Sequence, residues 1–278
     1  MILPMTGLFA GAPDPYMPYG AGLTIGSQPD VQIYFARGRT LVNRFDVAAN
    51  NMTLVFFGQS NFSNVNPTIY APSNSTVYNF STPDGAIYEN ASPTIGTSTG
   101  EPKGYGCTAV RIADALVSNG KAGSVVVADS AIGGTAISPT WDADANHIIS
   151  GTFARLAAQN LTPAAVLFGQ GESDTGDGTS QAAYAASLAA FISNVRATGY
   201  TGPIFIAHQS WNLGATSSNV TNAQDAAVNH SAGIWAGPNS DLIGAGDRQA
   251  DNTHFNDAGA AAYAAAWVTA LHAYGSPF

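Results

Sequence analysis

From Met52 onward the chain alternates between two rhythms. Short apolar runs, β-branched or aromatic and bounded by Gly, Pro or Asp, occur at Thr53 to Phe57, Ser124 to Ala128, Ala164 to Phe168, Pro203 to Ala207 and Asp241 to Ile243. Runs of this length and make-up read as buried strands of a parallel sheet. Between them apolar positions return at helical spacing. Tyr184, Leu188, Phe191, Ile192 and Val195 follow Ser180 at i, i+4, i+7, i+8 and i+11, which predicts a helix capped by that serine and closed at Gly199. Asp257 is expected to cap a final helix with Ala260, Tyr263, Ala264, Trp267, Val268 and Leu271 on one face. Residues 106–118, 147–159 and 220–231 read as further helices. Strands alternating with helices predict an α/β fold, a three-layer α/β/α sandwich around five parallel strands.

Two stretches stand outside this rhythm. Residues 1–45 are rich in Gly and Pro and carry one strand-like run, Val31 to Phe35, followed by Arg37, Arg39 and Arg44. They are expected to form a short β-rich N-terminal extension to a main domain of residues 46–278. Asn61 to Gly104 is a long Ser/Thr/Asn/Pro-rich segment with Tyr70, Tyr78 and Tyr88 but no period. Loops of such length in compact domains are functional covers or disordered. Because this one leaves directly from Ser60, it is expected to cover a site there.

Composition narrows the class of partner. Of 278 residues, 45% are hydrophobic, enough for one substantial core, and only 10% are charged. The surface must therefore be largely neutral and polar, which is unusual for a cytosolic enzyme and suggests an extracellular or periplasmic protein. The net charge of −9 offers no footprint for nucleic acid or an anionic membrane. No basic stretch precedes Arg37, so no signal peptide is visible, and no run approaches the roughly 18 apolar residues of a membrane span. Cys107 is the single cysteine, expected as a buried thiol within a helix.

The candidate chemistry lies just past the strand ends, where open α/β sheets gather their functional groups. Gly58-Gln59-Ser60-Asn61 follows the first strand, Gly133-Gly134 the second, Gln170-Gly171-Glu172 the third, and Asp251-Asn252-Thr253-His254 precedes the last helix. A serine on a tight turn after a buried strand can project its hydroxyl. Asp251 and His254 are three apart, so the carboxylate can reach one ring nitrogen while the other faces a nucleophile. Gly133 or Gly134 can offer a backbone N–H, and Gln170 its side-chain amide, to a developing oxyanion. Each motif alone is bland. Together they read as a hydrolase with a serine nucleophile.

These motifs, in this order, resemble those of the SGNH (GDSL-like) hydrolases. With Ala131-Ile132-Gly133-Gly134-Thr135, Trp141 and Gln170-Gly171-Glu172-Ser173-Asp174 they are most similar to the carbohydrate-esterase branch that includes sialate O-acetylesterases and acetyl xylan esterases. The resemblance covers Thr53 to the C-terminal helix. It implies a flavodoxin-like sheet and a serine esterase without metal or other cofactor, acting on an acetylated oligo- or polysaccharide. It implies Ser60 as nucleophile, His254 as base and then acid, and Asp251 as its orienter. The oxyanion would meet the N–H groups of Ser60 and Gly133 or Gly134, with the Gln170 amide. Glu172 belongs to the branch motif and either shares the Asp251 role or holds the loops together.

Gln59, Asn61, Trp141, His208 and Trp211 are the candidate substrate contacts, the last two following the fourth strand, where an indole can stack on a sugar. For Trp141 and Trp211 packing into the protein is an equal reading. Three alternatives compete with the carbohydrate esterase. A metal-dependent deacetylase would need convergent ligands, but the five histidines are scattered. A non-catalytic glycan-binding or virion structural module suits the low charge, but has no need of the full Ser, Gly, Gln, Asp and His set. An esterase of the same kind acting on non-carbohydrate short-chain esters differs only in its substrate.

Overall fold

The computed structural model describes residues 39–44, 47, 51–89, 92–97 and 106–278. Among these, seven strands form one sheet: β1 Asn51–Gly58, β2 Val77–Phe80, β3 Ile87–Glu89, β4 Ser124–Asp129, β5 Pro163–Gly169, β6 Ile204–His208 and β7 Ile234–Asn239. Their order is β3-β2-β4-β1-β5-β6-β7, with all neighbours parallel except the antiparallel pair β2 and β3. The helices are α1 Thr108–Ser118, α2 Ile137–Thr140, α3 Ile148–Ala158, α4 Glu172–Gly176, α5 Gln181–Ala197, α6 Ser218–Ala227 and α7 Asp257–Tyr274.

The continuous apolar character of the inner strands follows from burial on both faces. In β1, Leu54 and Phe56 pack with Val110, Ile112 and Leu116 of α1 and with Tyr263, Trp267 and Leu271 of α7. The alternating residues Val55 and Phe57 point the other way, into Phe153 of α3, Leu188 and Phe191 of α5 and Val220 of α6. A period of two in the strand thus feeds two separate cores, which makes the three layers. Each large apolar side chain taken fully out of water contributes roughly 1.5–3 kcal/mol, so both cores hold the central strands firmly.

Ser180 caps α5 as its sequence predicts, accepting the Ala183 N–H at 3.3 Å. The last helix begins one residue earlier than expected: Asn256 is its cap, accepting the Gly259 N–H at 3.0 Å, and Asp257 instead pairs with Arg111. Cys107 is buried as expected, but at the N-cap of α1 rather than inside it, and burial pushes its thiol up to about 11.

Three expectations are corrected. The sheet has seven strands, not five. The segment after Ser60 is not the unbroken loop expected: its described residues supply β2 and β3, which lengthen the sheet beside β4, while residues 90–91 and 98–104 lie outside the described residues. Its polar residues are buried in a network, with Asn64 Nδ2 donating to Thr94 O at 2.8 Å and to Thr97 Oγ1 at 2.6 Å. The strand expected at Asp241 to Ile243 is a 3-10 turn over Ser240–Leu242, with Leu242 exposed; the seventh strand lies just before it at Ile234–Asn239. This edge strand is half-exposed and contains Gly237 and Pro238, so it lacks a continuous apolar signal.

The run expected as a strand at Val31 to Phe35 lies outside the described residues. Residues 40–42 run along the β3 edge, where Val42 N–H donates to Ile87 O at 2.8 Å and Glu89 N–H to Thr40 O at 2.9 Å. No described helix is long and apolar enough to cross a membrane.

Candidate active site

β1 sits at the switch of the sheet, with β2, β3 and β4 on one side of it and β5, β6 and β7 on the other. The crevice beyond such strands is where open α/β sheets bind ligands. Gly58 ends β1 at a φ of +136°, and a Cβ there would stand 2.0 Å from Gly169 O. Only glycine lets the two strand ends approach so closely. Gln59 N–H donates to Gly169 O at 3.0 Å, and Gln59 O then accepts the Phe62 and Ser63 N–H groups at 3.0 and 3.2 Å. The serine is thereby carried on a tight turn locked to the end of β5. Phe62, stacked with Tyr263 at 5.6 Å, anchors the turn in the core.

Ser60 lines a cleft of about 290 Å³ together with Gln59, Gly134, Glu172, Ser173, Asn212, Leu213, Asp251, Thr253 and His254. Fragments nearly the whole domain apart in sequence thus meet at one sheet edge. His254 Nδ1 lies 2.6 Å from Asp251 Oδ2, while Asp251 Oδ1 accepts the N–H of Thr253 at 2.9 Å and of His254 at 3.0 Å. Partial burial opposes the charge on Asp251. The N–H of Thr253 and the ring and N–H of His254 outweigh it and hold the carboxyl below its ordinary value. A charged carboxylate on Nδ1 orients the ring and leaves Nε2 as the basic atom.

The glycines divide their work. Gly134, at a φ of +73°, lines the cleft. Gly133 packs against the serine, its missing Cβ site 3.5 Å from Ser60 Cβ. The N–H groups of Ser60 and Gly134 donate to no protein acceptor among the described residues. Gln170, expected to add its amide, does not line the cleft. Its Nε2 is directed at Thr135 O at 2.6 Å, Gln59 Oε1 at 3.0 Å and Asp174 Oδ2 at 3.1 Å. With two hydrogens for three acceptors, the amide is consumed in holding the Gln59 turn to the β4 and β5 loops, which corrects that expectation.

Glu172 is buried, and Oε1 accepts Gln209 Nε2 at 2.6 Å and Asn61 Nδ2 at 2.7 Å. Burial pushes its carboxyl up, against the pull of those amides and of Arg248. It makes no hydrogen bond to His254 in this arrangement and acts as the joint between three loops. Asn61, expected to touch substrate, belongs to the same joint: its Oδ1 also accepts the Phe255 N–H at 3.0 Å. Gln59 reaches the cleft wall, yet its Oε1 is engaged by Gln170 and by the Ser173 N–H at 3.1 Å.

The aromatic expectations fare differently. Trp141 is fully buried among Phe57, Phe168 and Phe191, with ring centroids 5.7, 6.0 and 6.4 Å away, and forms core rather than a wall. Trp211 turns back over Arg248, with Cζ 4.9 Å from its ring centroid, and donates Nε1–H to Asn252 O at 2.9 Å. His208 pairs with Asp225 at 3.0 Å, away from the cleft. The loop after β6 does reach the cleft, but through Asn212 and Leu213, which sequence reasoning missed.

Arg248 was also missed. It is buried, sandwiched between the Trp211 and Phe255 rings, and donates to Thr253 O at 2.6 Å, Ser240 O at 3.1 Å and Ile243 O at 3.2 Å. A cation three residues before Asp251, in a chain with nine Lys and Arg, was its available signal. Among the described residues no three of His, Cys, Asp and Glu cluster so as to hold a metal ion.

Comparison with known proteins extends this picture. Similar solved structures include a protein from Arabidopsis thaliana, at 20% identity and a TM-score of 0.65, covering 81% of this chain and 98% of that one. A carbohydrate acetylesterase from Xanthomonas citri is 16% identical, with a TM-score of 0.57, and the match covers 81% of this chain and 57% of that one. A lipase/acylhydrolase from Enterococcus faecalis is 11% identical, with a TM-score of 0.50, covering 82% and 98%. At such identities the likeness is one of fold. No curated protein matches the chain. The model of the family described as "Carbohydrate esterase, sialic acid-specific acetylesterase" matches residues 50–272. The chain belongs to that family and is a carboxylic ester hydrolase.

Proposed function

We propose that the protein removes O-acetyl groups from a carbohydrate by two successive acyl transfers. Ser60 Oγ attacks the acetyl carbonyl as His254 Nε2 takes its proton. The carbonyl oxygen, now negative, is met by the N–H groups of Ser60 and Gly134. His254 returns the proton to the departing sugar oxygen. A water molecule, deprotonated by the same imidazole, then attacks the acyl-enzyme and frees acetate and Ser60. Asp251 stays ionised throughout, orienting the ring and stabilising the imidazolium.

The observation that carries this reading is the joint presence of Ser60, Gly134 and the Asp251–His254 pair around one cleft. Family membership supports a carbohydrate ester as substrate. The net charge of −9 favours neutral acetylated oligo- or polysaccharides over anionic sialylated chains. Acetate release from acetylated xylan, acetylated glucomannan and O-acetylated sialic acids, with wild type and Ser60→Ala side by side, tests it. Release from a neutral glycan that disappears in Ser60→Ala is expected; activity near wild type in that variant overturns the nucleophile.

A further inference from the structure

Residues Asn212 to Ala215 form a tight turn, with Asn212 N–H donating to Ala215 O at 2.8 Å and Ala215 N–H to Asn212 O at 3.0 Å. Both central residues have positive φ, Leu213 at +50° and Gly214 at +85°. Turns with that requirement favour Asn or Gly at the first central position, because a larger side chain is strained there. Leucine is an unfavourable choice, and it is not compensated by burial: Leu213 is 73% exposed. Strain of this kind persists only where the surroundings enforce it, and it collects at functional sites.

The surroundings here are the histidine loop. Leu213 N–H donates to Thr253 Oγ1 at 2.8 Å, Gly214 N–H to Asn252 O at 3.1 Å, and Thr253 Oγ1 lies 3.2 Å from Asn212 Oδ1. A Cβ on residue 214 would come within 2.5 Å of Asn252 Nδ2, so the turn lies close against the histidine loop. An isobutyl group is thereby clamped to the loop bearing Asp251 and His254, at the mouth of the cleft that holds Ser60.

We propose that Leu213 is a specificity-determining contact for the leaving alcohol, packing against the apolar C–H face of the sugar ring whose acetyl group is bound at Ser60. This rests on the serine-esterase reading above. With the acetyl carbonyl at Ser60 and its oxygen toward Gly134, the departing oxygen must reach His254 for its proton, so the alcohol lies on the histidine side. Leu213 is fastened to that side.

The test compares wild type with Leu213→Asn, which suits the turn better than leucine and so spares folding. Substrates are an O-acetylated methyl xyloside, its propionyl analogue, and methyl acetate, whose alcohol is too small to touch residue 213. For Leu213→Asn, KM for the sugar acetate is expected to rise roughly tenfold with kcat within about twofold. Its kcat/KM for methyl acetate and its acetyl-to-propionyl preference should stay at the wild-type values, with an unchanged or higher Tm. Equal losses on sugar and methyl esters, or no loss on either, overturns the proposal. A changed acyl preference also overturns it, by placing Leu213 at the acyl group. A wild-type protein that hydrolyses none of these esters defeats the esterase reading itself, which separates that failure from the others.

Discussion

Asn61 donates its side-chain amide to Glu172 Oε1 at 2.7 Å, so the residue after the serine is tied to the loop after β5. That bond assigns different work to the two carboxylates of the cleft. Glu172, with its carboxyl pushed up by burial, braces loops; Asp251, with its carboxyl held down, touches the imidazole. Glutamine mimics the neutral form of Glu172 and keeps its shape. Glu172→Gln is therefore expected to lower kcat/KM by about ten- to a hundredfold, whereas Asp251→Asn lowers it about a thousand- to ten-thousandfold. Initial rates of acetate release decide between them, and the reverse order would make Glu172 the orienter.

Gly58 is the tightest point of the scaffold. Alanine there meets Gly169 O at 2.0 Å with the backbone at a φ of +136°, which side chains other than hydrogen rarely adopt. Gly58→Ala is expected to cost about 3 kcal/mol or more and to leave no active fraction at moderate temperature. Chemical denaturation and circular dichroism measure the loss; a variant as stable as wild type would contradict the packing of β1 against β5.

Asp129 ends β4 fully buried, and burial pushes its carboxyl up to about 8. Oδ2 lies 3.0 Å from Thr94 Oγ1, which in turn lies 3.1 Å from Asn64 Oδ1, a chain that a protonated Asp129 can begin as donor. The folded state thus keeps a proton that the unfolded chain releases near pH 4. Between about pH 4 and 8 this group makes stability fall as pH rises, by up to about 1.4 kcal/mol per pH unit. Asp129→Asn copies the protonated form and removes that dependence. Melting temperatures from pH 5 to 9 should show the variant gaining on wild type as pH increases, and parallel curves would refute the assignment.

Trp141 is placed in the core by its ring contacts with Phe57, Phe168 and Phe191. Trp141→Phe is expected to cost about 2 kcal/mol of stability while leaving KM unchanged. A stable variant with a raised KM for acetylated glycans would return the residue to the cleft wall.

The strands β1, β4, β5 and β6 and helices α1, α3, α5, α6 and α7 were legible in the sequence, because burial on both faces makes inner strands uniformly apolar and packing on one face marks helices with a period near 3.6. The outer strands β2, β3 and β7 were not legible, since β2 and β3 are only 4 and 3 residues long, β7 contains Gly237 and Pro238, and their pairing depends on distant partners. Among site residues, Ser60, Gly134, Asp251 and His254 could be nominated because their chemistry is local: a turn, a flexible glycine, a carboxylate three residues from an imidazole.

What each polar side chain does with its hydrogen bonds was decided only by the tertiary structure. Gln59, Asn61, Gln170 and Glu172 have the right chemistry to meet a substrate. Yet Gln170 and Asn61 direct their amide hydrogens, and Gln59 and Glu172 a carboxyl or amide oxygen, at neighbours far along the chain, which fastens the site instead of leaving it free. Leu213 shows the converse: nothing in its sequence context marks it, and only the clamp from Asn252 and Thr253 brings it to the cleft. Sequence by itself determined which residues carry reactive groups and which strands are buried, because both follow from composition and short-range period. Which groups remain available for chemistry depends on long-range partners competing for each donor and acceptor, and that competition exists only in the folded chain.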